Sequence, residues 1–130
     1  MTKKQLIEQN FKDILDNPVF DEQIIGRYFD RDYVQYVDGK KLDYEMFCQH
    51  MKALKNKTKS LEVKIISCVE QGDEAFTNHL VSVVDANGNV STIKVIAYFK
   101  FRNEKVILCD ELTFHLEGDI ASKDLGSVIE

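Results

Sequence analysis

The chain has 130 residues, 44% of them hydrophobic, which is enough for one domain with its own core and too little for two. Its charged side chains mix both signs and sum to a formal net charge of -5, leaving no positive field for a phosphate backbone and arguing against nucleic acid as a partner. The longest apolar stretches have the length of strands, far below the roughly 18 residues that cross a bilayer, and Met1-Thr2-Lys3-Lys4 leads straight into an amphipathic pattern. Neither a signal peptide nor a membrane anchor is expected.

Leu6, Ile7, Phe11, Ile14 and Leu15 recur at helical spacing, and Asn17-Pro18 stops the helix, because proline restricts the residue before it and brings no backbone donor. The first helix is expected over about 3–16. A second starts at Asp21, whose carboxylate can cap free amides, turns Ile24, Ile25 and Tyr28 inward and ends near Phe29. Asp43 opens a third in the same way, with Phe47, His50, Met51 and Leu54 on one face ahead of the polar run Lys55 to Lys59.

From Leu61 the period changes from helical to two, with Leu61, Val63 and Ile65 alternating with Glu62 and Lys64. Gln71-Gly72-Asp73 turns the chain into a strand over Ala75 to Val84, and Asn87-Gly88 signals a hairpin because both residues tolerate positive φ. Two more strands, Val90 to Phe101 and Lys105 to Leu116, are joined by Arg102-Asn103-Glu104, which predicts an antiparallel meander. A short extra strand is expected near Tyr33 to Val37. The domain is placed at 1–117, followed by a polar tail over 118–130.

Cys48, Cys68 and Cys109 are odd in number, widely spaced and without a zinc-type pattern, so they read as reduced packing residues and the protein as cytoplasmic. The three histidines have no metal-ligand spacing, and no glycine-rich phosphate loop or nucleophile elbow is present. No metal and no cofactor are expected.

Taken together, Tyr28-Phe29, the run Asp32 to Lys40, the helix from Asp43, Gly72-Asp73 and Glu104-Lys105-Val106 resemble the SnoaL-like branch of the nuclear transport factor 2-like superfamily over about residues 3–117. The resemblance implies an α+β cone-shaped roll, three N-terminal helices packed on a strongly bent antiparallel sheet, commonly dimerised through the outer face of the sheet. It does not imply one chemistry, because a shared fold does not settle function. The ketosteroid isomerase machinery of the superfamily is missing: its base, its oxyanion acid and its tyrosine fall at Tyr36, Ala97 and Phe11. That activity is therefore rejected.

Matching the turn at Glu104-Lys105 to the family pattern puts Cys109, Glu111 and Thr113 inside the cone, and strand parity adds Val95, Ala97 and Phe99, and Ala75, Thr77 and His79. A glutamate in an apolar cone needs a partner or a raised pKa. Glu111 and His79 are accordingly the candidate acid–base pair, the rival reading being a structural hydrogen bond. Tyr36, Phe47, His50, Ala97, Phe99, Cys109 and Thr113 are the candidate ligand contacts. Asp38-Gly39 reads as a turn whose aspartate bonds nearby amides. The expected function is binding of a small hydrophobic or amphipathic molecule, with cofactor-free isomerase, cyclase or dehydratase chemistry. The alternatives are a non-catalytic ligand-binding module and a dimeric adaptor. A homodimer is expected because Phe76, Leu80, Ile96, Tyr98, Leu112 and Phe114 share the outer face of the sheet.

Overall fold

A computed structural model describes residues 1–117, so the expectation of a frayed or strapping tail lies outside the described residues. The chain runs α1 (Lys3–Asn10), a π-helical turn (Phe11–Leu15), α2 (Glu22–Tyr28), β1 (Phe29–Val37), β2 (Lys40–Asp43), α3 (Tyr44–Lys57), β3 (Thr58–Gln71), β4 (Glu74–Asp85), β5 (Val90–Arg102) and β6 (Lys105–Glu117). The six strands form one sheet in the order β2-β1-β6-β5-β4-β3. Helices cover one face of it, and the core lies between the two layers.

Each helix begins where its cap residue directs. Thr2 and Gln5 form a reciprocal capping box on α1, Asp21 accepts from the Gln23 amide at 2.9 Å, and Asp43 accepts from the Met46 amide at 2.8 Å. The first helix differs from expectation in its second half, which widens to π-helical hydrogen bonding from Phe11. Two tertiary ties hold that widened turn: the Tyr28 hydroxyl donates to Asp13, and Lys55 Nζ donates to the carbonyls of Ile14 and Asn17. Such widened turns leave backbone groups that other elements must satisfy, and they occur often beside functional cavities.

The antiparallel meander β3-β4-β5-β6 matches the period-two pattern. The sheet as a whole is mixed, because β1 joins β6 in parallel, with Gln35 beside Cys109 and Val37 beside Glu111. The chain leaves β1 through a two-residue turn at Asp38 and Gly39, both at positive φ, and β2 returns antiparallel along its free edge. The Asp38 carboxylate reaches beyond its own turn. It accepts from the Thr113 amide at 2.8 Å and the Thr113 hydroxyl at 2.5 Å, which fastens the turn to β6. At the β4–β5 connection Asp85 accepts from the amides of Asn87 and Asn89, so only Gly88 takes positive φ there.

Candidate functional site

A cavity of about 120 Å³ lies between the π-helical turn, α3 and the covered face of the sheet. The widened turn supplies Phe11, Ile14 and Leu15, α3 supplies Phe47, His50, Met51 and Leu54, and the strands supply alternate residues. Of the sequence candidates, Phe47, His50, His79, Phe99, Cys109, Glu111 and Thr113 line it.

Two candidates fall outside the lining. Tyr36 lies on the opposite side of β1, because the buried positions Tyr33, Gln35 and Val37 set the parity of that strand. Apolar residues stand at both parities in Tyr33-Val34-Gln35-Tyr36-Val37, so alternation alone could not choose the face. Ala97 is buried on the inner face between Thr77 and Glu111 on its neighbouring strands, and its methyl is too short to reach past them.

Glu111 and His79 share the cavity without forming the expected pair. Ala97 lies opposite Glu111 and Thr77 opposite Ala97, so Thr77 and not His79 occupies the row of Glu111. Two strand spacings, about 10 Å, separate Glu111 from Thr77 across that row before the further offset of His79 along β4 is counted. His79 instead bonds Thr77, Nδ1 to Oγ1 at 2.8 Å, and its ring lies 4.8 Å from that of Phe11. Burial with no compensating charge pulls its pKa down to about 4, so the imidazole is neutral near pH 7.

The partner of Glu111 is a residue that the sequence reading passed over. Gln35 Nε2 donates to Glu111 Oε1 at 2.5 Å, and the Tyr33 hydroxyl donates to Gln35 Oε1 at 2.9 Å. Desolvation pushes Glu111 up to about 7; the Gln35 hydrogen bond opposes this, and the nearby negative charges of Asp38 and Asp110 reinforce it. Burial likewise holds the Tyr33 hydroxyl and the Cys109 thiol well above their ordinary values. The carboxyl is therefore near half-protonation at neutral pH, in a wall whose other ionisable members Tyr33 and Cys109 stay neutral.

Among the described residues, no group of three His, Cys, Asp or Glu side chains could hold a metal ion, and no helix is long and apolar enough to cross a membrane. The three cysteines are free.

No protein-family model matches the chain. An uncharacterized protein of Schizosaccharomyces pombe, C11D3.04c, is 38% identical over 125 residues, covering 96% of this chain and 95% of the yeast protein. The chain belongs to the same family as that protein. Solved structures place the fold more widely. AclR of Streptomyces galilaeus, a proposed hydroxylase, superimposes with a TM-score of 0.75 at 13% identity, over 98% of this chain and 87% of AclR. A nuclear transport factor 2-like protein of unknown function from an Exiguobacterium species gives 0.69 at 16%, over 87% and 98%. IdmH of Streptomyces antibioticus, a proposed polyketide cyclase, gives 0.73 at 11%, over 87% and 92%. The family thus has the nuclear transport factor 2-like fold that the sequence resemblance implied.

Proposed function

We propose that the protein binds a small hydrophobic or amphipathic molecule in this cavity, with Glu111 as the group for cofactor-free proton transfer of the isomerase, cyclase or dehydratase type. One observation carries the reading: a carboxyl that titrates near neutrality, held by the Gln35 amide, faces an otherwise largely apolar cavity. The same fold carries a proposed polyketide cyclase. The test is a small-molecule screen read by amide and methyl NMR shifts. Ligands should perturb Phe47, Phe99 and Cys109, and Glu111→Gln should keep the fold while changing binding or turnover. Shifts confined to the outer face of the sheet would count against the site. Binding without turnover would favour a non-catalytic ligand-binding module. The three free thiols fit a reducing compartment, and the cytoplasm is part of the same proposal.

An adaptor or self-associating role has its own support on the outer face of the sheet. Phe76, Leu112 and Phe114 are 54%, 65% and 68% exposed there, with Ile96 beside them. Apolar side chains in one such area mark a surface that associates. A homodimer through this face is expected to break on Phe114→Glu or Leu112→Glu, with the dissociation constant rising at least about 100-fold, since one buried unpaired charge costs several kcal/mol. Sedimentation of the unmutated protein as a monomer at tens of micromolar would remove the dimer and leave a partner protein as the occupant.

A further inference from the structure

The cavity is small, and Glu111 is the one carboxyl among its described lining residues, which also include the polar Asn10, Gln35, His50 and His79. A volume of about 120 Å³, set against the roughly 150 Å³ of an apolar cavity that takes up benzene, has room for about one small ring. Among the described residues no lysine or arginine lines it, so an anion would meet the Glu111 carboxyl with no counter-charge. A cation would have to leave water for aromatic and aliphatic walls, facing a carboxyl that burial keeps partly protonated.

The hydrogen bonds also fix what Glu111 can offer. Tyr33 donates to Gln35 Oε1, which turns Gln35 Nε2 toward Glu111 Oε1. With Oε1 taken as an acceptor, the carboxyl proton resides on Oε2. The neighbouring Thr113 hydroxyl is already committed as a donor to Asp38. This side of the cavity therefore presents the Oε2–H of Glu111, beside the second Nε2–H of Gln35, to a ligand that brings an acceptor.

We propose that the cavity selects an uncharged, one-ring carbonyl compound, with its carbonyl oxygen accepting from Glu111 Oε2–H. This rests on the ligand-binding reading above and narrows it to one size and one charge. The ionisable groups around Glu111 are Tyr33 on β1, Asp38 in the β1–β2 turn, and Cys109 and Asp110 on β6; β5 brings the neutral Ala97. His79 on β4 and His50 on α3 line the same cavity. Burial keeps Tyr33 and Cys109 protonated and His79 neutral from pH 6 to 8.5, so Glu111 is the group that changes charge between Gln35 and the ligand.

The experiment uses the full chain and probes of matched shape: acetophenone, 1-phenylethylammonium and benzoate, with a four-ring ketone as the size control, each titrated at pH 6 and pH 8.5. Acetophenone should bind best. Its dissociation constant should rise about 30-fold between the two pH values, because only the protonated carboxyl is competent and its share shrinks by that factor. In Glu111→Gln, whose amide donates without titrating, the pH dependence should vanish while binding persists. Preference for the ammonium, benzoate or four-ring probe would overturn the inference and leave a ligand site standing. So would a pH dependence that survives in Glu111→Gln, which would assign it to another group such as His50. If no probe, and no compound of the wider screen, perturbs the cavity, the ligand-binding reading itself fails.

Discussion

Tyr33→Ala is expected to lower the free energy of unfolding by about 4 kcal/mol, the range for removing a fully buried aromatic ring. Tyr33 is 2% exposed, and its ring centroid lies 4.5 Å from that of Phe29 and 5.0 Å from that of Phe47. Its loss opens a hole where β1 meets α3, leaving the Phe29–Phe47 contact, ring centroids 4.6 Å apart, as the remaining aromatic contact between them. Tyr33→Phe keeps the ring and removes only the donor to Gln35, so about 1 kcal/mol should go. That variant also frees the Gln35 amide to turn, and the Glu111 titration should shift with it. Urea unfolding of both variants at pH 7 checks the pair. A loss for Tyr33→Ala no larger than that for Tyr33→Phe would mean that the aromatic cluster contributes nothing to the core.

Glu111→Gln is expected to stabilise the fold in a pH-dependent way. The folded carboxyl titrates near 7 and the unfolded one near 4.5, so between these values the folded state holds a proton that the unfolded state has released. The contribution of Glu111 to stability is thus greatest below pH 4.5, falls as pH rises, and is lost above pH 7. At pH 8 the unmutated protein carries a desolvated carboxylate, and replacing it should add about 2 kcal/mol, after allowing for the solvent that still reaches this half-buried group. At pH 4 the two proteins should unfold alike. His79 does not disturb the comparison: its lowered pKa costs stability below pH 6.5 in both proteins equally. Parallel pH–stability curves for the two proteins would show that Glu111 is solvated like a surface residue.

The sequence by itself determined the elements whose information is local. Capping residues at Thr2, Asp21 and Asp43 start the helices, and the change of period near Leu61 announces the meander. Parity carried the reading to Phe99 on β5, and the family pattern at Glu104-Lys105 carried it to Cys109, Glu111 and Thr113 on β6, where the exposed Leu112, Phe114 and Leu116 make the outer face the more apolar one; all four predicted residues line the cavity. It failed on β1, where both faces carry apolar residues, and so Tyr36 was singled out and Gln35 overlooked. The parallel seating of β1 against β6 is a long-range choice between segments some seventy residues apart, and no local pattern encodes it.

Only the tertiary structure decided the partner of Glu111. That partner follows from the register of β1 on β6, which sets Gln35 beside Cys109 and within reach of the Glu111 carboxyl. The register of β4 and β5 in turn puts Thr77 in the row of Glu111 and moves His79 out of it. A shift of two residues in either strand would have exchanged one partner for another without changing a single face or any hydrophobic period. Where the two faces of a strand differ in polarity, sequence periodicity reports which side of a sheet a residue occupies. It carries no record of position along the strand, and hydrogen bonds between side chains depend on that position.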